Sequence, residues 1–257
     1  MPQPASSPAG SSAWPTTRFI SSSSRIASFA CPATRSLQSS AACSWPGIFP
    51  KLGSLLLARH LPLREGDVVL DLGAGAGLIG ILAARRGHRV VATDVVAACG
   101  ECARANALLN GVAERVEVRT GDLFTPVNGE TFDLIATNPP QMPTPLDREW
   151  NDAQSQADSG GPHGWAILDR IIHEAPRYLN PQGRLVHTLF GFLGIQRALE
   201  KLRAAGLTPS VLAREEQPFP RIGRERLDFI RSVDDESILP PGRPATCPRL
   251  VLCGQKE

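Results

Sequence analysis

The chain has 257 residues, enough for one large α/β domain or a domain with a tail. An apolar content of 42% can fill a core, yet no apolar run approaches the length of a membrane span. The formal net charge of +2 gives no whole-protein case for nucleic acid, although it leaves room for a local basic patch.

Residues 1–44 differ from the rest. They are rich in Ser, Ala and Pro, carry Arg18, Arg25 and Arg35, and contain no acid; the first acidic residue is Glu65. No long apolar stretch suits a secretory signal. The composition suits an unstructured tail, an upstream extension or an organellar transit segment. The expectation is a disordered tail over 1–44 and a working domain over 45–257. A cytoplasmic location follows, with an organellar one as the alternative if the tail is a transit segment.

From Trp45 onward the pattern alternates. A short apolar helix is predicted over 54–60, stopped by Pro62, and a first buried strand over 67–72. A helix over 77–86 and a second strand over 89–93 follow. The helix over 96–110 should stop at Gly111, since glycine commonly ends helices. Strands are predicted over 115–119 and 132–137. A helix over 166–178 leads through a Pro181-Gln182-Gly183 turn to a strand over 184–189. A helix over 195–205 precedes two final strands, over 207–215 and 249–253. Strands alternating with helices imply a mostly parallel seven-stranded sheet covered by helices on both faces.

Two motifs lie on this frame. The first is Asp71-Leu72-Gly73-Ala74-Gly75-Ala76-Gly77, where a buried strand runs into a glycine turn and a helix begins. Glycine serves where the chain turns sharply and where a ligand packs on bare backbone. The helix start turns its amide groups toward such a ligand, at the switch point of an open sheet. Gly75-x-Gly77-x-x-Gly80 also satisfies the dinucleotide fingerprint, with Asp94 placed for a ribose. Asp94 fits either cofactor, because a carboxylate there can accept two ribose hydroxyls. Asp122, with Leu123 beside it, follows the third strand, and its carboxylate can accept from an adenine amino group.

The second motif is Asn138-Pro139-Pro140-Gln141, just after the fourth strand. Two prolines lock the backbone and hold the preceding residue extended. This fixes the Asn138 amide oxygen and the Pro139 carbonyl at one point. An amide or aromatic amine nitrogen is a poor nucleophile because its lone pair is delocalised. Two fixed acceptors holding its hydrogens favour a pyramidal nitrogen and stabilise the charge that develops there. Positioning then supplies much of the rate without a strong base. His163 and Trp165 follow in a loop that could form a lid. Trp150 and Trp165 are candidates for an acceptor pocket or for simple packing.

The six cysteines include a lone Cys99-x-x-Cys102. A metal or redox site needs more ligands, so no metal is expected and the pair reads as small helix residues.

The first motif resembles the Asp/Glu-x-Gly-x-Gly-x-Gly loop of class I S-adenosylmethionine-dependent methyltransferases. The resemblance implies their Rossmann-like fold and their cofactor, with Asp71 positioning its methionyl end. Asn-Pro-Pro-x occurs in glutamine-N5 methyltransferases of the release-factor type and in adenine-N6 enzymes. Gly160-Gly161-Pro162-His163-Gly164 and Glu174-Ala175-Pro176-Arg177-Tyr178-Leu179-Asn180-Pro181-Gln182-Gly183 are similar to stretches of the release-factor enzymes, and so is Gly47-Ile48-Phe49-Pro50 with Ser54. The resemblance covers residues 46–190. It implies methyl transfer to an amide or guanidine-like nitrogen of a protein side chain or small metabolite.

Three departures bear on the acceptor. Gln141 stands where those enzymes usually carry an aromatic, which together with the near-neutral charge counts against nucleic acid. Residues 1–44 show no amphipathic helices like the N-terminal bundle of the bacterial enzymes. The charged segment over 216–245 has no counterpart; it reads as a lid, a substrate wall, or a solvated helix and loop. The rival readings are a nucleic-acid N-methyltransferase of the adenine-N6 type and a non-catalytic cofactor-binding subunit.

Overall fold

A computed structural model describes residues 17–19, 27–29, 51–148, 157–234, 236 and 238–257. Strands β1 (Thr17–Phe19) and β2 (Ala27–Phe29) form a small antiparallel pair. The expectations for the rest of residues 1–44, for Gly47–Pro50 and for Trp150 lie outside the described residues.

Helix α1 (Leu52–Arg59) precedes β3 (Val68–Leu72), α2 (Leu78–Arg85), β4 (Arg89–Asp94), α3 (Ala97–Leu109), β5 (Val116–Thr120) and β6 (Phe132–Thr137). The second half comprises α4 (Ala166–Tyr178), β7 (Leu179–Phe190), α5 (Ile195–Ala204), β8 (Leu207–Pro218), α6 (Arg221–Glu225), α7 (Leu227–Ser232) and β9 (Thr246–Lys256). The sheet order is β5-β4-β3-β6-β7-β9-β8. Neighbours from β5 through β7 are parallel, and β9 runs antiparallel to β7 and β8. This is the Rossmann-like class I methyltransferase topology.

The inner strands β3, β4, β6, β7 and β9 are largely buried on both faces because their apolar residues are continuous, and the pleat sends successive side chains to opposite sides, whereas the edge strands β5 and β8 are more exposed. Leu70, Ile135, Leu185 and Leu252 pack with Leu168, Ile171 and Ile172 of α4 and Leu202 of α5. Their neighbours Val69, Leu134, Val186 and Val251 pack with Leu56 and Leu57 of α1 and with Ile79 and Ile81 of α2. Each such side chain contributes about 1.5–3 kcal/mol by leaving water. The strand order reverses between β3 and β6, which places the loops after β3, β4, β5 and β6 along one edge of the sheet.

Two local expectations fail. The Pro181–Gly183 turn is absorbed into β7, with Gln182 at φ 62° and a register shift against β6 between Phe132 and Leu134. The segment after β8 is not a solvated helix and loop. Phe219, Leu227, Ile230 and Leu239 all join the larger core cluster. Asp234 accepts from the Ile238 and Leu239 amides, and Glu236 accepts from the Ile195, Gln196 and Arg197 amides at the start of α5. A helix start leaves such donors free, so this carboxylate pins the segment to the domain.

Candidate active site

The glycine loop leaves β3 in left-handed steps, with φ 71° at Gly73, 54° at Gly75 and 82° at Gly77. A Cβ added at Gly73 or Gly75 would meet nothing within 4 Å, so the outer face of the loop is bare backbone. Behind it the packing is tight. A Cβ on Gly80 would stand 2.9 Å from Val90 Cγ1 and 3.1 Å from Asp71 Oδ2. That close approach explains a glycine inside α2, where it costs about 1 kcal/mol of helix propensity. Asn106, buried on α3, donates to the Ala76 carbonyl at 2.9 Å and holds the loop from beneath.

Asp71 is fully buried. Its Oδ2 accepts from the Gly80 amide at 2.8 Å, while Oδ1 has no hydrogen-bond partner in the protein. Burial pushes its carboxyl up to about 7; the Gly80 bond opposes this and the nearby Asp94 charge adds to it. Asp94 is held at the end of β4 by two amides, Gly75 to Oδ2 at 2.8 Å and Val96 to Oδ1 at 2.9 Å. Its carboxyl is also raised, mainly by burial. Two carboxylates sharing one buried corner, one of them with an unused oxygen, match a ligand with a cationic end. The Val95 amide and the Cys99 thiol also stabilise the charged form of Asp94, so that carboxylate is fixed in place where a ribose hydroxyl would meet it. The donor set therefore fits S-adenosylmethionine.

Asp122 and Leu123 sit where the third site was expected, at the end of β5. Asp122 is exposed and pairs with Arg170 of α4 at 2.5 Å, which leaves one oxygen uncommitted. Leu123 takes φ 43° and packs against the core, turning the chain at this corner.

Asn138 follows β6 directly. Its Nδ2 donates to Ser54 Oγ on α1 at 2.8 Å. Its Oδ1 accepts from Thr188 Oγ1 of β7 at 2.6 Å and from Arg249 Nη2 of β9 at 2.7 Å. The amide oxygen expected to hold the acceptor nitrogen is thus already gripped by two donors. Gln141 is 2% exposed and turns onto β7. It donates from Nε2 to the Thr188 carbonyl and hydroxyl at 2.9 and 3.1 Å and accepts from the Phe190 amide at 3.1 Å. Its side chain supports the loop and is not presented to an acceptor.

Arg249 is buried on β9, paired in register with Phe190, whose ring centroid lies 3.6 Å from the guanidinium carbon. Burial pulls its basicity down to about 10. The N-terminal turn of α1 covers the group, since a Cβ on Gly53 would lie 2.7 Å from Arg249 Nη2 and 2.9 Å from Asn138 Oδ1. Lys51, ahead of α1, pairs with Asp158 in the segment that follows the Asn-Pro-Pro loop.

Trp165 is 4% exposed, donates to the Leu193 carbonyl at 3.2 Å and packs in the core, so it lines no acceptor pocket. His163 is exposed. Cys99 and Cys102 are buried thiols on α3. Among the described residues no cluster has the make-up of a metal site, and no helix is long and apolar enough to cross a membrane.

Comparison with known proteins agrees with this geometry. The family model described as "Methyltransferase small domain" matches residues 42–147. A protein of Methanocaldococcus jannaschii, provisionally named a protein N5-glutamine methyltransferase, is 34% identical over 174 residues, 67% of this chain and 87% of that protein. The chain belongs to the class I S-adenosylmethionine-dependent methyltransferases. Its cofactor is S-adenosylmethionine. The ribosomal RNA small subunit methyltransferase C of Alcanivorax borkumensis is 33% identical over 56% of this methyltransferase, which spans only 41% of that protein. A solved E. cuniculi complex responsible for methylation of the eRF1 translation termination factor shares the fold, with a TM-score of 0.53 at 19% identity. The match covers 81% of this chain and 98% of that one.

The glycine loop, Asp94 and Asn138 of this methyltransferase lie at the strand ends where sequence reasoning put them, while the contacts of Thr188, Arg249 and Gly53 around Asn138 were not anticipated. Arg249 carried a usable signal. It is the one cation in the stretch 247–253, whose other residues are all apolar.

Proposed function

We propose that this enzyme transfers the methyl group to an amide nitrogen, that of a glutamine side chain in a protein. The observation that carries this is Asn138-Pro139-Pro140 standing at the end of β6, beside the strand that bears the cofactor loop. The bound cofactor supplies an electrophilic methyl group. Asp71, Asp94, Asp122, Leu123, Gly73, Gly75 and Gly77 are its proposed binding set. Bare loop backbone takes the methionyl end, and Asp94 takes the ribose.

Asn138 and the Pro139 carbonyl orient the acceptor nitrogen, and Pro140 stiffens the loop that carries them. Fixed dipoles of this kind stabilise the positive charge that appears on nitrogen, which is how a weak nucleophile is served without a strong base. Because Arg249 and Thr188 already donate to Asn138 Oδ1, the acceptor N–H reaches that oxygen by displacing one of the two donors, and it leans on the Pro139 carbonyl as well.

The surroundings favour an amide over a flat base. Gln141 is turned inward, and Phe190 carries Arg249 on its ring and stacks on Phe192 at 4.9 Å. A base would need a free aromatic face there. The M. jannaschii relative, covered over most of its length, supports the same acceptor. An RNA nitrogen is the second reading, favoured by the A. borkumensis relative. A small metabolite is a further acceptor compatible with the site. We assign residues 45–257 to the catalytic domain, 1–44 to a tail outside it, and the enzyme to the cytoplasm.

The test is incubation with isotope-labelled S-adenosylmethionine and, separately, total protein and total RNA, with mass spectrometry of the products. Label on glutamine supports the reading. Label confined to RNA, or to carbon or oxygen, overturns it.

A further inference from the structure

The orientation of Asn138 can be traced to an unambiguous donor. The Phe190 backbone amide can only donate, so the Gln141 atom 3.1 Å away is its oxygen and the other end of that carboxamide is its NH2. That NH2 donates to Thr188 Oγ1 at 3.1 Å. Arg249 Nη2, which has no acceptor capacity, donates to the same oxygen at 3.0 Å. The two donors fill both lone pairs of the hydroxyl. Its single proton must then go to Asn138 Oδ1, 2.6 Å away, which Arg249 Nη2 also reaches at 2.7 Å. A flipped Asn138 would set its NH2 against two donors and turn its oxygen toward Ser54.

Arg249 is expensive to keep. It is a buried cation with no carboxylate within ion-pair distance among the described residues, and its Nε and Nη1 have no partner. Replacing such a charge with an apolar side chain is often neutral or stabilising. Phe190 and the oxygens of Asn138 and Thr188 offset part of its desolvation, with a smaller contribution from the more distant Asp158 charge.

We propose that Arg249 is a positioning residue for methyl transfer, which, together with Gln141 and Thr188, locks the Asn138 carboxamide in one orientation. The inference rests on the nitrogen-acceptor reading above for its kinetic consequence, though not for its structural one. Both bonds come from one nitrogen, Nη2. A lysine ammonium at the same place can therefore make both, whereas a methionine of similar length makes neither.

The experiment compares full-length wild type with Arg249→Lys and Arg249→Met. Turnover is measured on a glutamine-containing peptide, binding with S-adenosylhomocysteine, and stability by thermal melting. The side-chain amide resonances of Asn138 are followed by NMR in the ligand-free protein. Arg249→Met should melt at or above the wild-type temperature and bind S-adenosylhomocysteine within a few-fold. It should lose about a hundredfold in kcat, the scale of one misplaced catalytic dipole. Arg249→Lys should recover most of that loss. The Asn138 NH2 pair should stay close to its wild-type shifts in the lysine variant and move or exchange-broaden in the methionine variant.

Near-normal kcat in Arg249→Met, or an unmoved Asn138 pair, overturns the proposal. If Arg249→Met does not fold, Thr188→Val removes the hydroxyl relay at nearly constant volume, and the same two readouts decide. If wild type methylates no peptide, the acceptor reading fails, and the ligand-free NMR comparison alone supports or overturns the positioning role.

Discussion

Gln141 donates to the Thr188 carbonyl at 2.9 Å while accepting from the Phe190 amide at 3.1 Å, so one side chain staples the Asn-Pro-Pro loop to β7. Gln141→Leu keeps the volume and removes these bonds together with the one to the Thr188 hydroxyl. It strands a buried amide and weakens a buried carbonyl, a loss of about 1–3 kcal/mol for the unsatisfied groups. Urea denaturation should show the lower midpoint. An unchanged midpoint would mean that the staple contributes nothing to the fold.

The Gln141 result shows where sequence reading reaches its limit. The Asn-Pro-Pro loop was legible because proline fixes backbone locally, and the glycine loop because left-handed turns exclude most other residues. Asp94 was legible from its place at a strand end. The inward turn of Gln141 was not, since its partners lie 47 residues away on β7. Arg249 is 111 residues from Asn138, and only the insertion of β9 beside β7 brings them together. The segment after β8 looked solvated from its charge. Four apolar residues at irregular spacing anchor it instead, and irregular spacing carries no periodic signal.

Gly53 lies in the first turn of α1, directly over the Asn138 oxygen. Helix propensity alone says that Gly53→Ala should stabilise by about 1 kcal/mol. The contacts predict the opposite sign, because a new Cβ would stand 2.7 Å from Arg249 and 2.9 Å from Asn138. Overpacking of this kind costs about 1–3 kcal/mol. Both a lower melting temperature and slower turnover are expected. A more stable, fully active Gly53→Ala would show that α1 does not press on the site.

Asn138→Ala separates chemistry from cofactor binding. Loss of a dipole that acts on the transition state should cut kcat by about a hundredfold or more. S-adenosylhomocysteine affinity should stay within a few-fold, because the proposed cofactor groups lie on the β3, β4 and β5 loops. Single-turnover kinetics with a glutamine peptide, beside calorimetry, measures the split. Equal losses in both would place Asn138 in the cofactor site instead. Some loss of stability is expected too, since Arg249 Nη2 would keep only Thr188.

Asp71 makes ligand-free stability depend on pH in a direction opposite to that of an ordinary paired carboxylate. Burial raises its carboxyl from 3.8 to about 7, with the Gly80 bond lowering it and Asp94 raising it. Between those values the folded chain keeps a proton that the unfolded chain has lost. Stability therefore falls as pH rises through that window and levels off above it. His187 opposes this: burial lowers it from 6.5 to about 4, so in that range the unfolded chain holds the extra proton and stability rises with pH. Wild type alone mixes the two effects, and Asp94, also raised, adds to the first. Comparison with Asp71→Asn isolates one group, because asparagine can still accept from the Gly80 amide but does not titrate. The melting temperature of Asp71→Asn, relative to wild type, should climb from about pH 4 to pH 7 and then stay constant. A cationic ligand at this corner should also expel the Asp71 proton, so wild type near neutral pH should release protons on binding S-adenosylmethionine and Asp71→Asn should release fewer. Calorimetry in buffers of different ionisation enthalpy measures that difference. A constant gap in melting temperature across the range, with equal proton release, would show that Asp71 is ionised in the folded chain and that its unpartnered oxygen is not the feature that receives the cofactor's charge.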